Sequence, residues 1–206
     1  MDKAQIWSTI HAERKALAAD LEGLTYEQWA TPSLCDGWTV RDVLAHMTAA
    51  AEQTPLSFFT KFVGSGFNFP KFANKDVEKV KSRGDVLTSF KAAMDNTSAP
   101  PGPTMTWLGE TIVHGDDIRR AVGIKYDYPP ANAAAVADSY KTSNLLIGSK
   151  KRIAGLKLTA TDLDWTHGDG PEVSGKMIDL LMAMAGRGAA VSALSGDGVA
   201  TLTSRM

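Results

Sequence analysis

Apolar residues recur at helical spacing along the first part of this 206-residue chain, and this periodicity constrains its fold most strongly. The first such run predicts a helix from about residue 3 to residue 22, with Gly23 as its stop. The apolar residues that recur at this spacing are Ile6, Ile10, Leu17, Leu21 and Leu24. A helix with one apolar face must bury that face against other elements.

Further helices are predicted along the same part of the chain. Thr39-Val40-Arg41-Asp42 has the form of a capping box, with Asp in place of the usual Glu, and predicts a second helix. Residues 55–74 mix Pro, Gly and Phe and predict an irregular, apolar loop. A third helix is expected over about 76–94, a fourth from about Met105 to Val122, and another from Pro129-Pro130 to about Ile147.

The pattern changes after about residue 150. Residues 156–161 alternate as a strand does, residues 164–167 could pair with them, and residues 178–184 predict a short apolar helix. A closing strand is expected around 199–202. The predicted fold is therefore mainly α: a four-helix bundle over residues 1–150, followed by a small C-terminal α+β module over residues 151–206.

Composition excludes several classes of function. Lys and Arg number 22 against 23 Asp and Glu, and no basic stripe carries interleaved aromatics, so no nucleic-acid partner is expected. The N-terminus is polar and no run is long enough to span a bilayer, so we expect a cytoplasmic protein with no membrane partner. The single Cys35 excludes an internal disulfide and Cys-rich zinc sites, which leaves nitrogen and oxygen ligands for any metal.

Glu110 and His114 are spaced four residues apart in the fourth predicted helix. This spacing places a carboxylate and an imidazole on one helix face, as a divalent metal requires. His46 on the second helix is the candidate third ligand, and two imidazoles with one carboxylate suit an open, catalytic zinc site or ferrous iron. The alternatives are an exposed Glu110–His114 pair on a helix surface and a hydrogen-bonded core histidine at position 46.

Two segments carry a resemblance to a known family. Residues 33–47 (SLCDGWTVRDVLAHM) and 109–123 (GETIVHGDDIRRAVG) resemble the two hallmark stretches of the mycothiol-dependent maleylpyruvate isomerase family, which belongs to the DinB-like metal-dependent helical bundles. Residues 160–165, 168–173 and 185–187 resemble the small C-terminal region of these proteins. The resemblance covers most of the chain and implies a DinB-like bundle.

The resemblance also implies an activity. It implies a zinc ion held by His46, Glu110 and His114, and mycothiol as a low-molecular-weight thiol cosubstrate that is activated as a metal-bound thiolate. A thiolate attacks small electrophiles. Addition, rotation and elimination would make the protein a cis–trans isomerase, whereas addition alone or displacement would make it a thiol S-transferase.

Other residues have two interpretations each. The resemblance places an arginine near position 187 at the active site, where Arg187 would bind a substrate carboxylate, but Arg187 could equally be a surface charge at a helix C-terminus. Asp117 is expected to orient a ligand imidazole or to pair with Arg120 or Arg41. Asp42 is expected to cap its helix, and Cys35 is not expected to act as a nucleophile.

Two hypotheses from different classes of function remain. The leading hypothesis is a metal-dependent enzyme that joins a low-molecular-weight thiol to a small electrophile, as a transferase or an isomerase. The second is a metal-binding stress or regulatory protein without turnover. The sequence leaves the substrate, the metal and the oligomeric state open, with a homodimer as one option.

Overall fold

A computed structural model describes residues 1–144 and 147–206 of the chain. The described residues divide into two compact units, Met1–Lys125 and Tyr126–Met206. The units therefore part well before residue 150, where the sequence pattern predicts the boundary. The reason is that the helix beginning at Pro130 packs against the helix beginning at Met177, which makes it part of the C-terminal unit.

The first unit consists of helices. They are α1 (Lys3–Asp20), α2 (Tyr26–Trp29), α3 (Val40–Glu52), α4 (Pro55–Gly64), α5 (Phe69–Lys81), α6 (Val86–Ala93) and α7 (Thr104–Ala121). The predicted stop of α1 is confirmed, since Gly23 has a φ of 81°, in the left-handed region that glycine adopts without strain. The predicted capping box of α3 is also confirmed, because the side chains of Thr39 and Asp42 bond each other's backbone N–H groups.

The bundle forms around α3 and α7. α1 packs on α7, and α3 packs on α5, α6 and α7. Their apolar faces share one core, which includes Leu17, Leu21, Val43, Leu44, Met47, Val77, Val80, Phe90 and Ile118. Because α3 and α7 are neighbours in this core, residues on their facing sides come close together.

Two predictions for residues 55–94 are wrong. The segment 55–74 is not an irregular loop, because Thr54 and Asn68 cap two helices that each have a proline in the first turn. The predicted third helix is two helices, α5 and α6. They separate at Gly84, which has a φ of 112° that no α-helix accommodates.

The second unit combines helices with one small sheet. Its elements are α8 (Pro130–Tyr140), α9 (Ser149–Arg152), β1 (Lys157–Ala160), β2 (Thr166–His167), β3 (Glu172–Gly175), α10 (Met177–Met184), a 3-10 helix (Gly188–Ala193) and α11 (Val199–Thr203). The strand order is β2-β1-β3, with β1 antiparallel to β2 and parallel to β3. β1 and its antiparallel partner are thus confirmed as predicted.

Two details of the C-terminal unit differ from the predictions. Residues 199–202 are helical rather than a strand, because Leu202 bonds back to the Gly198 carbonyl, and the third strand is β3 instead. α8 ends at Tyr140 rather than continuing towards Ile147, since the Ser143 N–H bonds the Tyr140 carbonyl in a turn. Residues 145 and 146 of that predicted helix lie outside the described residues.

The predicted fold class, a mainly α bundle with a small α+β module, is confirmed. Within the ranges that the structure describes, every helix is too short or too polar to cross a bilayer.

Candidate metal centre

His46 and His114 meet where α3 faces α7. Their ring centroids are 5.2 Å apart, with the ring planes nearly perpendicular. Trp38 covers the other side of His46 at a centroid distance of 5.0 Å, and its indole N–H donates a hydrogen bond to Asn74. Helix packing therefore brings together two imidazoles from distant parts of the sequence, as the helix pattern predicts.

Glu110 lies one turn before His114 on α7. Both of its carboxylate oxygens are buried, and neither has a hydrogen-bond partner among the described residues. Burial raises the pKa of this carboxyl group, while the nearby charges of His114 and Arg14 act in the opposite direction. A buried carboxylate without a partner is unfavourable by itself, so this group is suited to bind a cation.

Arg14 carries a permanent positive charge close enough to Glu110 to lower the pKa of its carboxyl group. It lies on the buried face of α1 with only 2% of its surface exposed, and its Nη1 donates a hydrogen bond to the Asn96 carbonyl. Its Nε is buried without a partner in the described structure. Arg14 therefore supports a negative charge on Glu110 electrostatically, without a direct hydrogen bond to it.

The His114 ring is held in place through its Nδ1 atom. Asp117, one turn further along α7 and fully buried, accepts a hydrogen bond from this nitrogen at 3.0 Å. The Cys35 thiol donates to the same carboxylate oxygen at 3.0 Å, and its sulfur lies 3.5 Å from His114 Nδ1. Asp117 thus orients the imidazole, one of the two roles expected for it, and Arg120 pairs with Asp116.

Cys35 lies in the loop before α3, and this loop places its thiol beside His114 and Asp117. The Ser33 hydroxyl accepts a hydrogen bond from the Cys35 N–H and donates one to the Trp38 carbonyl. Gly37 turns the chain with a φ of 76°, in the left-handed region. These contacts fix a tight turn, so the thiol occupies a defined place beside α7.

The two histidines have opposite protonation preferences. Burial, with the positive charge of His114, lowers the pKa of His46 to about 3. Burial also acts to lower the pKa of His114, but its hydrogen bonds to Asp117 and Cys35 and the negative charge of Asp117 outweigh this and raise it to about 10. In the metal-free protein near neutral pH, His46 is therefore neutral and His114 is protonated.

These pKa values predict how the stability of the metal-free protein depends on pH. His46 resists protonation in the fold, so its contribution falls as pH drops from 6.5 towards 3. The raised pKa of His114 gives a contribution that is full below 6.5 and is lost as pH rises towards 10. We expect the contribution of the two groups to the free energy of unfolding to be greatest near pH 6.5.

Denaturant unfolding of chelator-treated protein across this pH range measures the effect. His46→Gln should flatten the acid side of the stability profile, and His114→Gln should flatten the alkaline side. A wild-type alkaline slope that persists unchanged in His114→Gln would contradict the assignment.

Arg187 lies in the C-terminal unit, between α10 and the 3-10 helix. Its Nη1 donates to the Ala185 carbonyl at 2.9 Å, and Arg152 donates to the Met184 carbonyl at 2.6 Å. Two guanidinium groups therefore gather at the C-terminal end of α10, where the helix dipole favours positive charge. This agrees with the alternative interpretation of Arg187 as a helix C-terminal charge, and its catalytic role stays a prediction.

The geometry agrees with the comparisons with known proteins. Residues 10–85 match the family model of the mycothiol maleylpyruvate isomerase N-terminal domain. This segment belongs to that family. The match includes α3 with His46, and the resemblance drawn from the sequence is confirmed.

Two solved structures are similar to the chain. One is a histidine-to-alanine mutant of the mycothiol-dependent maleylpyruvate isomerase, with 15% identity, a TM-score of 0.63, and coverage of 96% of this chain and 93% of that chain. The other is the crystal structure of the mycothiol-dependent maleylpyruvate isomerase, with 16% identity, a TM-score of 0.55 and the same coverage. At these identities the likeness establishes the fold. No curated protein matches the sequence.

Two sets of side chains in this mycothiol maleylpyruvate isomerase-like bundle could hold a metal. Cys35, His114 and Asp117 are three potential ligands whose donor atoms all lie within 4.8 Å of one another. Among the described residues, the ligand atoms of the predicted set, His46, Glu110 and His114, do not all lie within this distance of one another. Both sets contain His114, the first through Nδ1, so an ion in the second set would use Nε2.

The residues present fit a divalent metal. Glu110 supplies a buried carboxylate with no other partner in the described structure, His46 is neutral, and Asp117 fixes the His114 ring as an outer carboxylate typically does for a metal-bound histidine. His46, Glu110 and His114 would hold the ion, and the predicted ligand set stays a prediction.

Sequence reasoning missed Cys35 and Arg14. Nothing in the order of residues indicates that Cys35 reaches α7, because that depends on the turn at Gly37. Arg14 did carry a signal. It lies four residues after Ile10 and three before Leu17, which places a charged residue on the apolar face of α1.

Proposed function

We propose that this chain is a metal-dependent enzyme that joins a low-molecular-weight thiol, mycothiol by family resemblance, to small electrophiles. The observation that carries the proposal is the buried Glu110 carboxylate, which has no hydrogen-bond partner in the described structure. It lies one helix turn from His114, whose ring is 5.2 Å from that of His46. The family match over residues 10–85 supports the choice of thiol. Because a free thiol persists in a reducing compartment, the proposal places the reaction in the cytoplasm.

The proposed ligands are His46, Glu110 and His114. A divalent metal, proposed to be zinc, supplies a positive charge that lowers the pKa of a thiol and keeps it deprotonated near neutral pH. His46 remains neutral and keeps its lone pair available, because burial opposes its protonation. Asp117 holds the proton on His114 Nδ1, which leaves Nε2 as the ligand atom.

The reaction class depends on the step after the thiol has attacked. The cosubstrate sulfur forms a bond to an electrophilic carbon, and the carbanion formed by addition to a conjugated double bond must be stabilised or protonated. Release of the thiol after rotation completes an isomerisation, whereas protonation or loss of a leaving group completes a transfer. We favour transfer, because no contact among the described residues defines a dicarboxylate pocket, and we keep Arg187 as the proposed carboxylate-binding residue.

Metal analysis combined with a thiol-conjugation assay tests the proposal. Purified wild type should carry about one metal per chain and conjugate thiols to a panel of electrophiles, and a chelator should abolish the activity. His46→Ala should lower metal affinity and activity by at least about a hundredfold, since even outer-shell changes cost about 10- to 100-fold. The panel should include electrophiles with and without a carboxylate. If Arg187 binds a substrate carboxylate, the electrophiles that carry one should react faster.

His11→Ala is the matched control. His11 lies on α1 of the same bundle, its ring nitrogen is 3.2 Å from the Asn96 carbonyl, and it is not a proposed ligand. Its replacement should leave metal content and activity unchanged. Wild type without stoichiometric metal, or His46→Ala with both metal and transfer activity, would contradict the proposal. Stoichiometric metal without any thiol transfer would instead favour a non-catalytic metal-binding protein.

A further inference from the structure

The helix α4 and the turn after it expose an unusual amount of apolar surface. The five side chains of this apolar patch are Leu56, Phe59, Val63, Phe67 and Phe69, which are between 43% and 74% exposed. Leu56, Phe59 and Val63 follow one another at i, i+3 and i+7 and share one face of α4. Scattered single apolar residues are normal on a surface, but five large exposed ones within fourteen residues of sequence indicate a site of interaction.

The opposite face of α4 is also apolar. Phe58 and Phe62 stack at a centroid distance of 5.6 Å, and both contact Phe72 of α5, at 5.2 Å and 6.0 Å. This aromatic cluster attaches α4 to the bundle. No residue of α4 is fully buried, and the side chains of the patch are exposed to solvent. A helix that is apolar on both faces is normally buried in protein or lipid.

The turn after α4 holds an aromatic side chain outward at a conformational cost. Phe67 has a φ of 61°, in the left-handed region that bulky residues rarely adopt, and it is 66% exposed. Its ring contacts Phe62 edge to face at 5.5 Å. A strained backbone that presents an apolar ring to solvent is a feature expected at a binding surface.

The charges around the patch are mainly positive. Residues 53–82 contain five lysines against two acidic residues, Asp76 and Glu78, although the whole chain has a net charge of -1. Glu78 pairs with Lys81. Lys61 pairs with Asp76, whereas Lys71, Lys75 and Lys79 lie at i, i+4 and i+8 along the exposed face of α5. These three lysines form no ion pair within the described residues. Lys71 follows Phe69 by two residues, so this lysine stripe begins at the edge of the patch.

We propose that the apolar patch and the lysine stripe bind the surface of an anionic lipid bilayer. An amphipathic helix that inserts Phe and Leu at the headgroup boundary, next to lysines facing anionic headgroups, binds membranes peripherally. A second copy of the chain fits less well, because a two-fold contact would set each lysine stripe near its own counterpart. The sequence alone predicts no membrane partner, and the proposal departs from that expectation.

Vesicle sedimentation with the full-length protein tests the proposal. Wild type should sediment with vesicles of phosphatidylglycerol and phosphatidylcholine, and much less with phosphatidylcholine alone, and added salt should weaken the binding. Replacing both Leu56 and Phe59 with Ser should reduce partitioning about tenfold or more, because the apolar insertion is lost. Lys71→Glu combined with Lys75→Glu should give a similar loss without changing any buried residue.

Tyr26→Ser is the matched control, since Tyr26 is 81% exposed on α2 and outside the patch. It should bind vesicles as wild type does. Sedimentation that is absent, or equal for both vesicle types and unchanged in the patch variants, overturns the proposal. A wild-type dimer in analytical ultracentrifugation that becomes monomeric in the Leu56/Phe59 variant also overturns it, in favour of a second copy as the occupant.

Discussion

Glu110→Met is expected to destroy function while stabilising the metal-free fold. Methionine has a similar length but no charge, so the variant should lose stoichiometric metal and thiol-transfer activity by at least about a hundredfold. The same change removes a buried carboxylate whose two oxygens have no partner in the described structure. Removing such a group should raise the free energy of unfolding of the metal-free protein by roughly 1–3 kcal/mol, less the attraction to Glu110 that Arg14 and His114 lose.

The opposite signs of these two effects distinguish a ligand from a structural residue. If Glu110 had a structural role, replacing it would lower the free energy of unfolding. If Glu110 is a metal ligand, it destabilises the metal-free protein, and replacing it should raise the free energy of unfolding. Denaturant unfolding of chelator-treated protein, followed by Trp fluorescence, gives the stability, and metal analysis gives the occupancy. The result that contradicts the account is a destabilised Glu110→Met protein that still binds metal.

Two further variants sharpen this comparison. Glu110→Gln keeps a buried polar group and should lose metal without the gain in stability. Glu27→Met replaces an exposed glutamate on α2 and should change neither property. Added metal should stabilise wild type and the Glu27 variant, because a ligand that binds only the folded state adds to its stability, and should not stabilise either Glu110 variant.

The sequence predicted the part of the site that depends on helix geometry. Periodicity and capping assign His46 to one helix and Glu110 with His114 to another, and those helices pack as neighbours. Spacing within a helix fixes which side chains share a face, and a bundle core supplies the second helix. The bounds of α1 and α7 and the start of α3 followed from the same local rules.

The rest depends on contacts that local patterns do not encode. Cys35 reaches His114 and Asp117 because a turn at Gly37 folds the preceding loop back towards α7. The mixture of Pro, Gly and Phe in residues 55–74 predicted a loop where the structure has α4 and α5. The N-cap residues of these helices are Thr54 and Asn68. In the C-terminal unit, residues 199–202 alternate like a strand, but their backbone bonds locally and forms a helix.

Cys35 is also the residue on which the identity of the ligands depends. The cluster of Cys35, His114 and Asp117 is compact enough to hold an ion, and it would supply a protein thiolate. The proposed set of His46, Glu110 and His114 supplies none, and leaves the sulfur to come from the cosubstrate. The thiol hydrogen bond to Asp117 then serves to position the carboxylate that orients His114.

The absorption spectrum of the cobalt-substituted protein tests this central claim most directly, because a thiolate bound to cobalt gives a charge-transfer band that nitrogen and oxygen ligands do not. We predict that wild type and Cys35→Ser bind cobalt equally and show no such band until a low-molecular-weight thiol is added, when both acquire it. A band in wild type before any thiol is added, lost in Cys35→Ser, would contradict the account and place the metal on Cys35, His114 and Asp117.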